Sequence, residues 1–279
     1  MQPVTRFAPS PTGKLHLGHA YSALEAHDFA RERDGAFLLR IEDIDPGRSR
    51  SEHVDAIIQD MLWLGLEWDD EIAYQSERLA LYSAALARLR AENLVYPCFC
   101  TRADIASSMA APHGPDGPVY PGTCRGLTDP DHSRPHAWRL DMAKAVASSG
   151  PLIWTDHGKE VAADPAAFGD VVLARKDAPA SYHLAVTIDD ADQGITDVVR
   201  GRDLFASTHV HRLLQALLGL PVPAWHHHAL LVDSAGERLA KRHHAPTIAD
   251  LREGGIEPDS LVEAMRRGQL PGGYSLAEA

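Results

Sequence analysis

The sequence predicts an α/β fold: a parallel sheet flanked by helices and split by an insertion. Three observations carry this reading. A strand-like run over residues 4–7, a helical run over 18–33 and a second strand-like run over 36–42 follow one another within about 40 residues, the spacing of a parallel strand–helix–strand unit. Segment 96–170 then changes character, holding all three cysteines, a Pro- and Gly-rich loop over 112–126 and a hairpin-like run at His136-Ala137-Trp138-Arg139-Leu140. Beyond it strand signals return, in Val171-Val172-Leu173-Ala174 and in the run over 182–188, so the sheet is expected to resume.

Taken in order, Val4-Thr5-Arg6-Phe7 is a short strand stopped by Pro9 and Pro11. The helix that follows is marked by Ala20, Leu24, Ala26, Phe29 and Ala30. Ala36-Phe37-Leu38-Leu39-Arg40-Ile41-Glu42, bounded by Gly35 and Pro46, reads as a buried strand. Helical runs over 51–64 and 77–92 complete a first half at residues 1–95. The insertion occupies 96–170 and the second half 171–225, with a helix over 208–218. Residues 226–279 hold a short apolar strand over 229–232, a polar loop and a small helical tail. No internal repeat or low-complexity tract is present.

With 279 residues and 44% apolar content the chain can bury a sizeable core. No window approaches the roughly 18 apolar residues of a membrane span, and the first residues lack a signal-peptide pattern, so the expectation is a cytoplasmic protein with no membrane partner. A net charge of -12 argues against non-specific coating of nucleic acid. Of the 27 basic residues 22 are arginine, whose fork suits carboxylate and phosphate groups.

The stretch RFAPSPTGKLHLGHA, residues 6–20, brings two histidines to the start of the first helix. It is not a phosphate-binding P-loop, because Ala8 and Leu15 stand where that motif needs Gly and Ser or Thr. His16 and His19 are three apart and so share a helix face, where free N–H groups and the helix dipole already favour anions. Two imidazole donors there can stabilise charge growing on phosphate oxygens, each worth about 3–4 kcal/mol in a transition state. Taken alone, the pair reads more readily as two partly exposed histidines near a helix start than as a phosphate site.

Cys98, Cys100 and Cys124 fall within 27 residues. An odd number in a cytoplasmic setting speaks against disulfides, and three thiolates make a tetrahedral zinc site that lacks one ligand. Chemistry alone leaves Tyr120, His113 and His132 as candidates for the fourth place. A site closed by four protein ligands has no catalytic position for water. His226-His227-His228 lies on a strand, where alternate residues face opposite sides, so at most two could share an ion.

His16-Leu17-Gly18-His19 matches H-I-G-H, the first signature of the class I aminoacyl-tRNA synthetases, and Arg238-Leu239-Ala240-Lys241-Arg242 is a degenerate match to the second, K-M-S-K-S. The chain therefore resembles that class, and RFAPSPTG, LLRIEDID, Tyr182-His183-Leu184-Ala185-Val186 and DVVRGRDL narrow the resemblance to its glutamyl branch. The resemblance implies a Rossmann-like catalytic domain split by a zinc-containing insertion. It implies that His16, His19 and Lys241 are catalytic, that His16, Gly18, His19, Arg238 and Lys241 bind ATP with Mg²⁺, and that His227 faces the ATP site. Glutamate carries one ammonium and two carboxylates and so asks for one anion and two sets of cationic or hydroxyl donors. By resemblance Glu42 meets the ammonium, Arg6, Tyr182 and Arg200 serve the carboxylates, and Ala8 and Ser10 line the pocket. Shorter relatives carry C-x-C and Y-x-x-x-C, which selects Cys98, Cys100, Tyr120 and Cys124 for one structural Zn²⁺. The second signature departs from the pattern at Arg238, which keeps the charge, and at Ala240, which loses a hydroxyl.

Only about 37 residues follow Arg242, where a full glutamyl enzyme carries an anticodon-binding region. The resemblance is then to truncated paralogues, and implies activation of L-glutamate by ATP followed by transfer to queuosine at the wobble position of tRNA(Asp), by a monomer. The alternatives are a truncated enzyme charging a tRNA 3′ end and a nucleotidyltransferase with a non-amino-acid substrate. Arg48, Arg50 and Arg202 are unranked candidates for a basic path to the tRNA.

Overall fold

The computed structural model describes residues 2–107, 113–115, 117–233 and 246–277. In chain order the elements begin β1 (Val4–Phe7), α1 (Leu17–Arg31), β2 (Ala36–Ile41), α2 (Ser51–Trp63), β3 (Ala73–Tyr74), α3 (Leu79–Ala91) and β4 (Val95–Cys98). Then come α4 (Arg102–Ser107), β5 (His113–Gly114), β6 (Gly117–Pro118), β7 (Ala137–Leu140), α5 (Met142–Ser149), β8 (Ile153–Asp156), β9 (Lys159–Ala162) and β10 (Val172–Ala174). The chain ends with α6 (Tyr182–Asp192), β11 (Asp197–Gly201), α7 (Ser207–Leu218), β12 (Ala224–His228), β13 (Leu231–Val232), α8 (Ile248–Glu253), α9 (Pro258–Arg266) and β14 (Ser275–Leu276). Two compact units result: Met1–Ser76 with Ile195–Phe205 and Pro223–Ala279, and Glu77–Gly194 with Ala206–Val222. The segment 96–170 lies wholly within the second.

The first unit is built on parallel strands. β1 pairs with β2 from Val4↔Ala36 to Phe7↔Leu39, β2 with β3 at Arg40↔Ala73, and β11 with β12 from Asp197↔Ala224 to Gly201↔His228. Thr196 joins these groups, its N–H donating to Val4 O at 3.0 Å and its Oγ1 accepting from Val4 N at 2.8 Å. Small residues on one face of α1, Ala20, Ala23, Ala26 and Ala30, are fully buried and bring the helix close to the sheet. The approach is close enough for the Thr5 hydroxyl to donate to Ala26 O at 2.8 Å. The core continues through Phe37, Leu39 and Ile41 to Ile57 and Met61 of α2 and Leu261, Val262 and Met265 of α9. Each such side chain contributes about 1.5–3 kcal/mol on burial. Gly35 is required where β2 begins, since a Cβ there would sit 2.3 Å from Pro3 O.

The second unit holds a three-stranded antiparallel sheet, β10–β7–β4. The same unit holds the β8–β9 hairpin, which turns on His157 and Gly158, both at positive φ (48° and 74°), the pairing a two-residue hairpin loop demands. Asp170, whose side chain is wholly buried, organises the unit. It accepts from Tyr96 and Met142 N, and from Arg125 Nε at 2.8 Å and Nη2 at 2.6 Å. Asp189, also wholly buried, accepts from Tyr82 at 2.9 Å and from Arg78 Nε at 2.7 Å.

Three expectations are corrected. The run over 182–188, expected to be a strand, is helix α6, started by Ser181 as N-cap. Residues 184–190 are buried all round, and a helix with no solvent face shows no 3.6-residue alternation, so its β-branched residues mimic a buried strand. The parallel arrangement resumes at β11; β10 runs antiparallel to β7. The strand expected over 229–232 is confined to Leu231–Val232 and pairs with β14, a strand with no warning in the sequence.

Candidate active site

In the first unit the expected glutamate residues gather at the carboxyl ends of parallel strands, where open α/β sheets bind ligands. Arg6 is near the end of β1, Glu42 directly follows β2, and Arg200 is the penultimate residue of β11. Arg6 and Arg200 are buried, and the Glu42 side chain is only 10% exposed. Glu42 N–H donates to Pro9 O at 3.0 Å, tying the loop that carries Ala8 and Ser10 to the end of β2. Ala8 is half-buried and Ser10 exposed.

Arg40 was not singled out by sequence reasoning. Its side chain is wholly buried and its Nη2 lies 3.5 Å from Glu42 Oε1. The signal was an arginine inside an otherwise apolar strand, a placement that burial makes costly unless the charge has a partner. Arg200 is aimed by its neighbours: Nε donates to His227 Nε2 at 3.2 Å and Nη2 to Leu204 O at 3.0 Å. The triple histidine alternates as its strand requires. Buried His227 meets Arg200, whereas His226 meets Asp197 at 2.8 Å and His228 meets Ser22 at 3.1 Å. These rings do not converge, and among the described residues the cysteine group is what could hold a metal.

The signature histidines have a defined tautomer. His16 is the N-cap of α1, its Nδ1 accepting from Gly18 N at 3.1 Å, and His19 Nδ1 accepts in return from His16 N at 3.3 Å. The rings stack with centroids 3.8 Å apart. An Nδ1 that accepts carries no proton, so each neutral ring presents Nε2–H as its donor. A Cβ at Gly18 would lie 3.0 Å from His16 Cε1, so glycine leaves this ring its place. Thr247 forms an isolated antiparallel bridge with His16, and Ile248 N–H donates to Leu15 O at 2.9 Å. Arg238, Ala240 and Lys241 lie outside the described residues. Tyr182 belongs to the second unit, where it opens α6, is 37% exposed and packs near His183 and His211.

Cys98, Cys100, Tyr120 and Cys124 come together in the second unit. The Cys100 and Cys124 sulfurs are 3.6 Å apart, and Tyr120 Oη is 3.4 Å from both Cys98 Sγ and Cys100 Sγ. Tetrahedral zinc with Zn–S of about 2.3 Å and Zn–O of about 2.0 Å requires S···S near 3.8 Å and S···O near 3.5 Å, so this donor set fits the ion. Burial, then the surrounding thiols, push the Tyr120 phenol pKa up, against the Cys124 N–H at 2.9 Å, which lowers it; the Arg139 guanidinium lies 3.9 Å over the ring. His132 packs instead on Trp138, and nothing is described of the His113 side chain.

Residues 2–274 match the family model for tRNA synthetases class I (E and Q), catalytic domain. The chain is 49% identical over 271 residues to a glutamyl-Q tRNA(Asp) synthetase of Rhodobacter capsulatus, covering 92% of this chain and 98% of that protein. It is 45% identical over 270 residues to the protein of that name in Symbiobacterium thermophilum, covering 83% of it. A crystal structure of a glutamate tRNA ligase from Elizabethkingia meningosepticum in complex with its amino acid superposes with a TM-score of 0.78 at 26% identity; the match covers 95% of this chain and 60% of that one. Among the described residues no helix is long and apolar enough to cross a membrane. With the parallel sheet, the paired signature histidines and the residues at the strand ends, these likenesses place the chain in the family of class I tRNA synthetase catalytic domains for glutamate and glutamine.

Proposed function

We propose that this chain is an adenylate-forming ligase that activates L-glutamate and transfers it to the cyclopentene-diol of queuosine at the wobble position of tRNA(Asp). The observation that carries the reading is 49% identity over 98% of the length of a glutamyl-Q tRNA(Asp) synthetase. In the first step the glutamate α-carboxylate attacks the α-phosphorus of ATP in line, the bond to the bridging oxygen breaks and pyrophosphate leaves. In the second a queuosine hydroxyl attacks the acyl carbon and AMP leaves. No side chain serves as a covalent nucleophile; positioning and charge stabilisation supply the catalysis.

The residues take their parts from their chemistry. Glu42, steadied by Arg40, receives the ammonium. Arg6 and Arg200 receive carboxylates, with Tyr182 and Ser10 as hydroxyl donors and Ala8 lining the pocket. The Nε2–H groups of His16 and His19 serve the phosphates, joined there by Arg238 and Lys241, with Gly18 leaving room for the nucleotide beside the His16 ring. Lys241 precedes Thr247 by six residues, a span of about 20 Å at most, and Thr247 is bridged to His16. Mg²⁺ accompanies ATP and neutralises charge on its phosphates. Zn²⁺ on Cys98, Cys100, Tyr120 and Cys124 is structural, one per chain. The protein acts in the cytoplasm as a monomer.

The test is to supply ¹⁴C-glutamate and ATP with tRNA(Asp) that carries or lacks queuosine. Label accepted only by the queuosine-containing tRNA supports the reading. Label on queuosine-free tRNA assigns 3′-end charging, and absence of glutamate-dependent exchange of pyrophosphate into ATP assigns a different nucleotidyl acceptor.

A further inference from the structure

Glutamate activation and the cysteine cluster leave one feature of the second unit unused. The Arg90 guanidinium lies 4.3 Å over the Trp138 ring, and His132 lies nearly parallel to Trp138 at 5.9 Å and 21°. His136 meets Trp138 edge-on at 5.0 Å and Phe99 at 5.5 Å, and the Arg134 guanidinium lies 5.1 Å over Phe99. The result is a chain of ring contacts, edge-on or tilted at His136 and parallel at His132, with an arginine over the ring at each end. Arg90, His132 and Arg134 are exposed, and Phe99, His136 and Trp138 are half-buried.

The stack is anchored from below and charged from above. Trp138 is held in β7 opposite Pro97 of β4, and Phe99 follows β4 directly, between two of the clustered cysteines. Exposed Lys176 donates to Phe99 O at 2.8 Å and Cys100 O at 3.2 Å, which places an ammonium beside the Phe99 end. Neither Arg90 nor Arg134 has a carboxylate within 4 Å among the described residues. The neighbouring Asp131 carboxylate bonds Ser133, through Oγ at 2.6 Å and N at 3.0 Å, and interacts with the Arg134 charge only at longer range. A guanidinium that stacks through its π-face keeps its N–H edge for a phosphate. Aromatic faces interleaved with cations, on a chain of net charge -12, form a local complement to an unpaired, negatively charged strand.

We propose that this stack docks unpaired RNA, with bases of a single-stranded loop lying against Trp138, His136 and Phe99 and the flanking phosphates held by Arg90, Arg134 and Lys176. That the RNA is a tRNA rests on the function proposed above. A loop is favoured over a duplex because paired bases present no free face to an aromatic side chain.

The experiment measures filter binding of a tRNA(Asp) transcript to the full chain, beside glutamate-dependent pyrophosphate exchange without tRNA. Trp138→Ala is expected to weaken RNA binding about 5- to 150-fold, the range of a lost stacked base, while Trp138→Phe binds within about 3-fold of the unaltered chain. The Arg90→Gln, Arg134→Gln double variant is expected to lower the slope of log K against log salt by about 1–2. All three should exchange pyrophosphate as the unaltered chain does. Should Trp138→Ala fail to fold, as judged by its thermal transition, the double variant at the two exposed positions decides the matter alone. RNA binding unchanged in that variant, or a loss of exchange equal to the loss of binding, overturns the docking surface. Exchange that is absent from the unaltered chain overturns instead the function on which the tRNA assignment rests.

Discussion

The two nitrogens of His16 have separate duties, and amide substitutions can divide them. Nδ1 caps α1 through Gly18 N at 3.1 Å, and under the function proposed above Nε2–H is the donor toward phosphate. Asparagine places its oxygen near Nδ1 and can cap, but does not reach the Nε2 position; glutamine reaches that position with an N–H and cannot cap. His16→Asn should therefore keep its thermal stability and lose a transition-state donor worth about 2.7–4 kcal/mol, a fall of 10²–10³ in glutamate-dependent pyrophosphate exchange. His16→Gln should lose about 1 kcal/mol of capping, or about 2–4 °C in Tm, while retaining much more activity than the asparagine variant. His16→Ala should suffer both losses. Exchange by His16→Asn within about 3-fold of the unaltered chain would refute the donor role, since that donor is assigned at least 10². A Tm for His16→Gln equal to that of His16→Asn would refute the cap.

Three further outcomes are expected. Arg200→Lys cannot hold His227 Nε2, Leu204 O and a substrate carboxylate in one planar fork, so the KM for glutamate should rise about 10- to 100-fold while that for ATP stays the same; an unchanged glutamate KM refutes the assignment. Metal analysis should find one zinc per purified chain, and Tyr120→Phe should weaken retention against a chelator by at least about 10-fold; equal retention removes Tyr120 from the ligand set. Burial opposes ionisation of Asp28, but bonds from His27 and from Arg266 at 2.7 and 2.9 Å outweigh it and lower its pKa to about 2. A carboxylate with a lowered pKa stabilises the fold above its ordinary value near 4 and loses that contribution as pH falls through about 2. Arg266→Ala should flatten the stability curve between pH 5 and 2 by roughly 1–2 kcal/mol after allowance for its half-exposed side chain, and an unchanged Asp28 titration by NMR would contradict the pairing.

Much of the site was legible because its parts lie in short, contiguous motifs. HLGH specifies a helix start with two imidazoles on one face, and the structure adds which nitrogen of each is left to donate. The cysteine spacing proposed a metal site, and folding brings the three sulfurs and the Tyr120 oxygen to within 3.4–3.6 Å along the contacts described above. By contrast, the run over 182–188 was misread because periodicity reports a boundary between core and solvent, and α6 has none over most of its length.

By itself the sequence determined which chemical groups the chain carries in its motifs: arginines, a glutamate, imidazoles, thiolates and a phenol. Tertiary structure decided how those groups are held and which others join them. His227 turned onto Arg200 and the ring contacts from Arg90 to Arg134 each join residues from separate positions in the chain. Such contacts leave no local signature, because side chains distant in sequence meet only when strand register and helix packing bring their backbones together.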